Sequence, residues 1–389
     1  MNKNRLPLLV WLVLLFVLLS YALGYTPIGA FSLKGYAWLI PLCFSLLIIV
    51  LNLKKITFPI IIWTPWIVLV ILYTLLSDSE ASLQRSVMLI CPMFVGAAVS
   101  SLIIDDDTLN TFSKYMLYTA VGFISVSAFK SGILITGNLF IFGDAAGMIS
   151  VTLISCYMAV RYVQGDSRML FYWGFLQIIP FIQITRMAAL ANLATLPLTL
   201  APLRLNKRII FILIVVAIGT AMFFNPHVQK KMFFSGSGSF KDLNFDNPDF
   251  KTHGRAMMWD VISEKAKARP WFGYGANASE ELIDRLTGGL IVHPHNDYLR
   301  IRYDYGYVGI IIFFICNIIQ MFHALKMAKI AEGETQILFY TGATAFIPFA
   351  LLMMTDNIIL YAAFFGNLQF TILGMAYAAR NMREQIFTN

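Results

Sequence analysis

Polar side chains that could carry chemistry are concentrated in residues 225–307, within a chain that is otherwise mostly apolar. Four of the five histidines lie there: His227, His253, His293 and His295. Imidazole is the side chain best suited to accept a proton near neutral pH, which makes His295 a candidate base. Pro294 favours a helix start at this point, and His295 would then share a helix face with Leu299 and Arg302. The alternative for a single interfacial His is a structural role.

Two arginines are further candidates. Arg255 and Trp259 are four residues apart, so on a helix they share a face. Arg186 lies at a predicted membrane boundary, where a charge faces either a polar interior or the interface as an anchor. The alternative for Arg255 is a solvated surface charge. Five residues of the same segments are candidates for binding substrate: Trp259, Tyr274, Asn296, Arg300 and Arg302.

The histidine spacing does not favour a metal site. His293 and His295 are two residues apart, whereas two metal ligands on one helix face are four apart. Residues 24–35, the first predicted outer loop, contain no acidic residue. The chain also has no Walker motif and no Gly-x-Ser-x-Gly motif. We therefore expect neither a metal nor an organic cofactor.

The elements that must position these residues are membrane helices. The chain of 389 residues is 58% hydrophobic and 13% charged, about half the charged fraction of soluble domains. A span needs about 20 apolar residues, and this predicts an all-α polytopic protein with about twelve spans. They fall near residues 6–24, 36–53, 58–76, 86–104, 111–130, 144–163, 169–184, 187–203, 209–224, 308–325, 337–354 and 358–378. Residues 169–203 could be two short helices or one broken helix.

The distribution of Lys and Arg predicts the orientation of the spans. Counted from an inner N-terminus, the inner loops hold fourteen of these residues: Lys3, Arg5, Lys54, Lys55, Lys114, Arg161, Arg168, Arg204, Lys207, Arg208, Lys326, Lys329, Arg380 and Arg383. The short outer loops hold Lys34, Arg85 and Lys130. Both termini are then cytoplasmic, and the large loop is outside. The net charge of +8 comes mostly from the inner-loop Lys and Arg residues that set the topology and face anionic lipid. No nucleic-acid partner is therefore needed to explain it.

Three regions follow from this pattern: a membrane bundle of about nine spans at 1–224, a large outer loop at 225–307, and about three spans with a cytoplasmic tail at 308–389. Three helices are expected to position the candidate residues. They run from Thr252 to Arg269, from Ser279 to Leu286 and from His295 to Tyr305. Thr252 is a plausible N-cap of the first, and Gly288-Gly289 would stop the second.

An ordered set of short motifs resembles one family. Thr185-Arg186 at a membrane boundary is followed by Gly254-Arg255 and Trp259, by Pro270-Trp-Phe-Gly-Tyr-Gly275, and by His295-Asn-Asp-Tyr-Leu299. Gly306 and Gly309 then enter the next span, and Asp356 follows span eleven. This order is similar to that of the O-antigen ligase and polymerase superfamily of bacterial glycan assembly. The similarity covers roughly residues 180–375, and upstream only the helix count agrees.

The resemblance implies a metal-independent, inverting membrane glycosyltransferase of the bacterial inner membrane, with a GT-C-like fold and its active site on the periplasmic side. The donor would be a glycan on undecaprenyl diphosphate. A ligase transfers it to lipid A–core oligosaccharide, and a polymerase transfers it to another lipid-linked repeat. The essential arginines of the family correspond to Arg186 and Arg255, and its essential His corresponds to His295.

Two other classes fit the helix count. A transporter of lipid-linked glycans would have ionisable groups near the bilayer midplane and broken helices. In this chain the charges cluster at membrane boundaries and in one large loop, which favours an enzyme. A pure assembly scaffold would not depend on Arg186. The sequence does not distinguish ligase from polymerase, because both need the same donor chemistry.

Overall fold

The computed structural model describes residues 5–23, 27–28, 31–77, 81–130, 145–182, 186–244, 247–252 and 254–388. This part of the chain is helical, apart from one short antiparallel pair of strands, β1 (Pro27–Ile28) and β2 (Phe31–Ser32). Thr185 and His253, which the motif pattern includes, lie outside the described residues. The prediction of an all-α architecture is confirmed in this part of the chain.

Nine helices precede the large loop among the described residues. They are α1 (Leu8–Leu23), α2 (Leu33–Asn52), α3 (Thr64–Leu75), α4 (Ser82–Ser100), α5 (Asp106–Lys130), α6 (Ala145–Val163), α7 (Arg168–Ile182), α8 (Arg186–Ala194) and α9 (Leu205–Phe223). Two short helices therefore occupy most of the stretch at 169–203. The second ends at Ala194, before Pro197, because the ring of a proline disfavours helical backbone in the residue that precedes it.

Seven further helices form the loop and the C-terminal part. They are α10 (Pro226–Met232), α11 (Arg255–Ala266), α12 (Ala278–Thr287), α13 (Asp297–Ile330), α14 (Gly333–Thr344), α15 (Phe346–Met353) and α16 (Gly366–Thr388). The last predicted span, 358–378, begins as a helix only at Gly366. Residues before it form a 3-10 turn at Ile358–Leu360, and the Ile359 N–H donates to the Asp297 carboxylate instead of to a helix carbonyl (2.9 Å).

Five helical stretches of the described residues are long and apolar enough to cross a membrane: Leu33–Lys55, Ser82–Ser100, Leu205–Phe223, Asp297–Ile330 and Gly333–Met353. Shorter apolar helices accompany them at Leu8–Leu23, Thr64–Leu75 and Ile149–Val163. The membrane character of the chain follows from these helices. The full number of about twelve spans remains a prediction.

Close contact between α4 and α16 forms part of the centre of the bundle. Small residues allow it, since a Cβ atom on Gly374 would lie 2.6 Å from the carbonyl oxygen of Gly96. Glycines that bring backbones together are typical of helix pairs in membranes. The large apolar core extends from these two helices through most of the bundle.

Ion pairs join the helix ends that the Lys and Arg pattern predicts to be cytoplasmic. Arg161 near the end of α6 pairs with Glu334 in the first turn of α14 (2.7 Å). Arg383 near the end of α16 pairs with Asp106, the first residue of α5 (2.5 Å). These four termini therefore meet at one end of the bundle, as the predicted topology requires.

The three helices of the large loop differ from their predicted bounds at the N-terminal ends. Helix α11 begins at Arg255, with Gly254 at a φ of +78° as its N-cap in place of Thr252. Helix α12 matches the prediction within one residue at each end, and Gly288 stops it at a φ of +60°. Helix α13 begins at Asp297, because the Asn296 side chain accepts from the Leu299 N–H (3.1 Å) and caps it.

Helix α13 is broken at Gly306, where φ is +67° and ψ is −166°. At the break, backbone N–H and C=O groups on either side lose their hydrogen-bond partners within the helix. Backbone groups of the loop at 270–275 take the place of these partners. Four hydrogen bonds join the two segments: Tyr274 N to Tyr303 O (2.9 Å), Gly275 N to Asp304 O (2.9 Å), Tyr307 N to Pro270 O (2.8 Å) and Val308 N to Trp271 O (3.1 Å). The loop at 270–275 is thereby hydrogen-bonded to both parts of the broken helix.

Substituting Gly306 by Ala should destabilise the protein strongly. The backbone conformation is one that essentially only glycine adopts, and a Cβ atom would lie 2.2 Å from the Trp271 carbonyl oxygen. The matched control is Gly219→Ala in α9, where a Cβ atom meets nothing within 4 Å. Thermal unfolding in detergent should show a clear loss for Gly306→Ala only. Equal midpoints for both variants would contradict this account of the break.

Candidate functional site

A buried carboxylate anchors the large loop to the membrane helices. Glu280 of α12 is 3% exposed. Its Oε1 atom lies 2.9 Å from Arg300 Nη1 of α13 and 2.8 Å from His293 Nδ1. Its Oε2 atom accepts from Arg85 Nε of α4 (2.9 Å). Buried charges are stable only when they are paired and hydrogen-bonded. In the Glu280 cluster of these four residues, Arg85 and His293 are hydrogen-bonded to the carboxylate and Arg300 forms an ion pair with it.

The surroundings of Glu280 control its ionisation. Burial by itself would raise the pKa of the carboxyl. The hydrogen bond with His293 and the charges of Arg300, His293 and Arg85 outweigh burial and lower the pKa to about 2. Glu280 is therefore an anion at neutral pH, and it orders the segment that contains His293.

Arg300 lies in this cluster. Its side chain is 2% exposed, and it also faces the carboxylate of Asp304 at 3.8 Å. Arg300 is one of the five residues that the sequence predicts to bind substrate, and the structure places it in a buried ion-pair network. A guanidinium enclosed by carboxylates in this way contributes to the framework of the site.

The segment His293-Pro294-His295 is held at each residue. His293 binds Glu280, and the Nε1–H of Trp259 donates to the Pro294 carbonyl oxygen (2.7 Å). The N–H of His295 donates to Oδ1 of Asn357 (3.0 Å). Trp259 thus connects helix α11 to this segment, and Asn357 connects the segment to the turn after α15.

His295 lies before helix α13, with a φ of +50°. It therefore does not share a helix face with Leu299 and Arg302, and the prediction that the helix begins at His295 is wrong. The physical reason is that Asn296 is the better N-cap, since its side chain can accept from a free N–H of the first turn. The imidazole Nδ1 instead lies 3.1 Å from Asn357 Nδ2 and 3.6 Å from Asp356 Oδ1.

Arg255 contacts the same turn from another side. Its Nη1 atom donates to the carbonyl oxygen of Thr355 (3.1 Å). Thr355, Asp356 and Asn357 are consecutive, so this turn connects the candidate arginine to the candidate histidine. The sequence analysis includes Asp356 in the family motif but assigns no role to Asn357, which is fully buried.

Arg186, the first residue of α8, completes a group of cations. Its guanidinium lies 5.9 Å from the centroid of the Phe250 ring, and the charge of Arg255 acts on it. Among the described residues, neither arginine has a carboxylate partner. Two positive side chains without anionic neighbours form a site suited to a multiply charged anion.

Lys231 is a third cation that the sequence analysis missed. It lies in the last turn of α10, and the N–H of Lys251 donates to the carbonyl oxygen of its neighbour Met232 (2.8 Å). Burial, followed by the charges of Arg186 and Arg255, lowers the pKa of Lys231. Nothing in the sequence distinguished Lys231 from the other basic residues of the large loop.

The remaining candidates make contacts with the framework. Asn296 caps α13. The ring of Tyr274 stacks on that of Tyr303 at 4.6 Å, and its hydroxyl donates to the Lys265 carbonyl oxygen (2.9 Å). The guanidinium of Arg302 lies 5.1 Å from the Tyr307 ring. The structure thus brings Arg255 and His295 to one turn, with Arg186 near enough to Arg255 for their charges to interact. These other residues support the segments that carry them.

The part of the chain that carries this geometry is similar to a known protein family. A family model described as O-antigen ligase matches residues 169–314. This range begins at α7 and ends within α13, so it contains both arginines, Lys231, His295 and three members of the Glu280 cluster, whereas Arg85 of that cluster precedes it. The resemblance to the O-antigen ligase and polymerase superfamily is confirmed, and it supports membrane glycan ligase or polymerase function in general and lipid-linked glycans as substrates. No curated protein matches the chain.

Glu280→Gln should lower stability at neutral pH, because it removes the anion that pairs with buried Arg300 and half-buried Arg85. Removing one partner of a buried ion pair costs about 3–5 kcal/mol. A carboxyl with a lowered folded-state pKa stabilises the protein above its unfolded value and loses this effect as the pH falls. The difference from wild type should therefore shrink between pH 4.5 and about pH 2.

Thermal unfolding in detergent across this range measures the effect. Glu281→Gln is the matched control, because the neighbouring Glu281 is exposed on the same helix. We expect the control to behave as wild type at every pH. A gap between Glu280→Gln and wild type that stays constant down to pH 2 would contradict the assigned ionisation.

Proposed function

We propose that this protein is an inverting, metal-independent glycosyltransferase of the O-antigen ligase type in the bacterial inner membrane. It would transfer a glycan from undecaprenyl diphosphate to a lipid A–core acceptor at the periplasmic face. The observation that carries the proposal is the contact of Arg255 with the turn at 355–357, which also binds His295 and contains Asp356. The charge of Arg186 acts together with that of Arg255. This arrangement lies largely within the family match.

The cations suit the donor. When the glycosidic bond breaks, negative charge develops on the departing diphosphate, and fixed positive groups stabilise that charge. Arg186 and Arg255 offer planar guanidinium groups that can bind phosphate oxygens with two parallel hydrogen bonds. Lys231 would add a third positive charge to the same anion. Together these side chains would do the work that a divalent cation does in other transferases of diphosphate-linked substrates.

His295 suits the acceptor. The oxygen of an acceptor hydroxyl would attack the anomeric carbon on the side opposite to the diphosphate. The bond between this carbon and the diphosphate oxygen would break, and the electron pair would leave with undecaprenyl diphosphate. The hydroxyl proton would pass to His295, and Asp356 would stabilise the imidazolium that forms. A single displacement of this kind inverts the anomeric centre.

A polymerase that uses a second lipid-linked repeat as the acceptor is the alternative, since it needs the same donor site. Reconstitution in liposomes with a lipid-linked donor and each acceptor in turn distinguishes the two. Product on lipid A–core supports the ligase, and product with two repeats on one lipid supports the polymerase. Movement of donor across the bilayer without glycosidic bond formation would support a transporter and overturn the proposal.

The first prediction separates donor binding from proton transfer. Arg186→Lys and Arg255→Lys keep the charge but lose the planar fork. Donor binding should weaken about 10- to 100-fold, because a hydrogen bond to a charged group contributes roughly 1.5–3 kcal/mol. His295→Ala should retain most donor binding and lose about 10²–10⁴ in turnover, the usual effect of losing a general base.

Lipid-diphosphate binding and turnover are measured separately in these variants. Arg285→Lys is the control, because Arg285 is an exposed arginine of α12 in the same loop. We expect no change in it. If His295→Ala abolished donor binding while the bound fraction reacted at the normal rate, His295 would be a phosphate ligand and the base would lie elsewhere.

The second prediction concerns metal. If positive side chains stabilise the leaving group, the activity of purified protein should survive a chelator. Turnover with EDTA should equal turnover with added magnesium or manganese within about twofold, because ionic strength alone changes a charged site modestly. Loss of activity with EDTA and recovery with either metal would show that the cation cluster does not replace a metal.

A further inference from the structure

Asn357 binds His295 through two atoms of one amide. Its Oδ1 atom accepts from the backbone N–H of His295 (3.0 Å), and its Nδ2 atom lies 3.1 Å from the imidazole Nδ1. The first contact defines the orientation of the amide, because a backbone N–H can only donate and needs an oxygen opposite it. The atom that faces the imidazole is therefore the amide nitrogen, which can only donate.

This geometry determines the tautomer of neutral His295. A nitrogen that faces a donor must carry a lone pair, so Nδ1 is unprotonated and the single proton lies on Nε2. In this form Nε2 is a hydrogen-bond donor, and the only lone pair of the ring nitrogens is occupied by Asn357. Such an imidazole can donate to a phosphate oxygen, but it cannot accept a proton from a hydroxyl at Nε2.

A second partner for Nδ1 is close. Asp356 Oδ1 lies 3.6 Å from Nδ1, just beyond hydrogen-bond distance. A carboxylate can only accept, so contact with Asp356 requires the proton on Nδ1 and leaves a lone pair on Nε2. Asn357 and Asp356 are thus competing partners that select opposite tautomers of the same ring.

We propose that Asn357 is a positioning residue that holds His295 in the Nε2–H tautomer in the resting enzyme. His295 acts as a base only when Nδ1 moves from Asn357 to Asp356 and takes up a proton from solvent there, while the Nε2 proton is released to solvent. The role in catalysis rests on the proposed function, whereas the resting tautomer does not. A resting imidazole of this form would not activate water, so a bound donor would be spared from hydrolysis before the acceptor arrives.

Two other charged residues near the His295 imidazole could affect which partner it binds. Arg255 binds the carbonyl oxygen of Thr355, next to Asp356. Asp297 lies two residues after His295, and its charge interacts with that of Asp356. Arg255 and Asp297 are retained in every variant below, so these two residues are common to all the comparisons.

Nitrogen NMR of the full-length protein, labelled with ¹⁵N-histidine in lipid nanodiscs, measures the tautomer directly. Spectra are recorded at pH 8.5 to observe the neutral imidazole, and the signal that vanishes in His295→Gln identifies the residue. We expect the Nε2–H form in wild type and in Asp356→Asn. Asn357→Asp should show the Nδ1–H form, because it places an acceptor opposite Nδ1. The Nδ1–H form in wild type would overturn the proposal.

Asn357→Asp preserves the size of the side chain and an oxygen for the His295 N–H, and thermal unfolding verifies its fold. Its added carboxylate should raise the pH midpoint of the acidic limb of kcat by about 1–3 units. Hydrolysis of donor without acceptor should increase at least several-fold. The control is Asn206→Asp, the same change at an exposed residue of α9. Unchanged hydrolysis in a folded Asn357→Asp that shows the Nδ1–H form would refute the sparing of donor.

Failure of the proposed function has a different signature. If no acceptor yields a glycan product with wild type, the NMR spectra still decide whether Asn357 sets the tautomer. If the product forms but wild type shows the Nδ1–H form, the glycosyltransferase proposal stands and the role of Asn357 is wrong.

Discussion

The geometry of the site depends on the buried carboxylate of Glu280. It binds side chains from three separate parts of the chain: the guanidinium groups of Arg85 of α4 and Arg300 of α13, and the imidazole of His293. A buried carboxylate without partners would cost free energy of folding. The fold is therefore stabilised when its three partners stay close to it. His293 is two residues from His295, and the same interaction that joins the loop to the membrane helices thereby orders the candidate base.

The broken helix α13 connects this anchor to the bundle. Its N-terminal part contributes Arg300 and Asp304, and its C-terminal part crosses the apolar core. The loop at 270–275 satisfies the backbone groups at the break at Gly306, so the break costs few hydrogen bonds. The position of the membrane helix therefore determines the position of the residues that precede α13, which include His295.

The sequence predicted the helical class and most helix positions because apolar segment length is a local property. The roles of Arg186, Arg255 and His295, which the motif order suggests, stay predictions. It did not predict contacts between distant segments. The proline before His295 favoured a helix start, and only the structure shows that Asn296 caps the helix and leaves His295 at a φ of +50°. Asn357 lies 62 residues from His295, so no spacing rule could connect them.

The arginines show the same limit of prediction from sequence, and the physical reason for it. Arg300 and Arg255 are both basic residues of one polar loop, and the sequence treats both as candidates. The structure surrounds Arg300 with carboxylates, whereas Arg255 and Arg186 have none among the described residues. Cations that repel one another cost stability unless an anion joins them, so the arrangement of Arg186 and Arg255 supports the proposal that a ligand provides that anion. Residue type alone does not separate these arginines from Arg300, because the carboxylates around Arg300 come from side chains that only the fold brings to it.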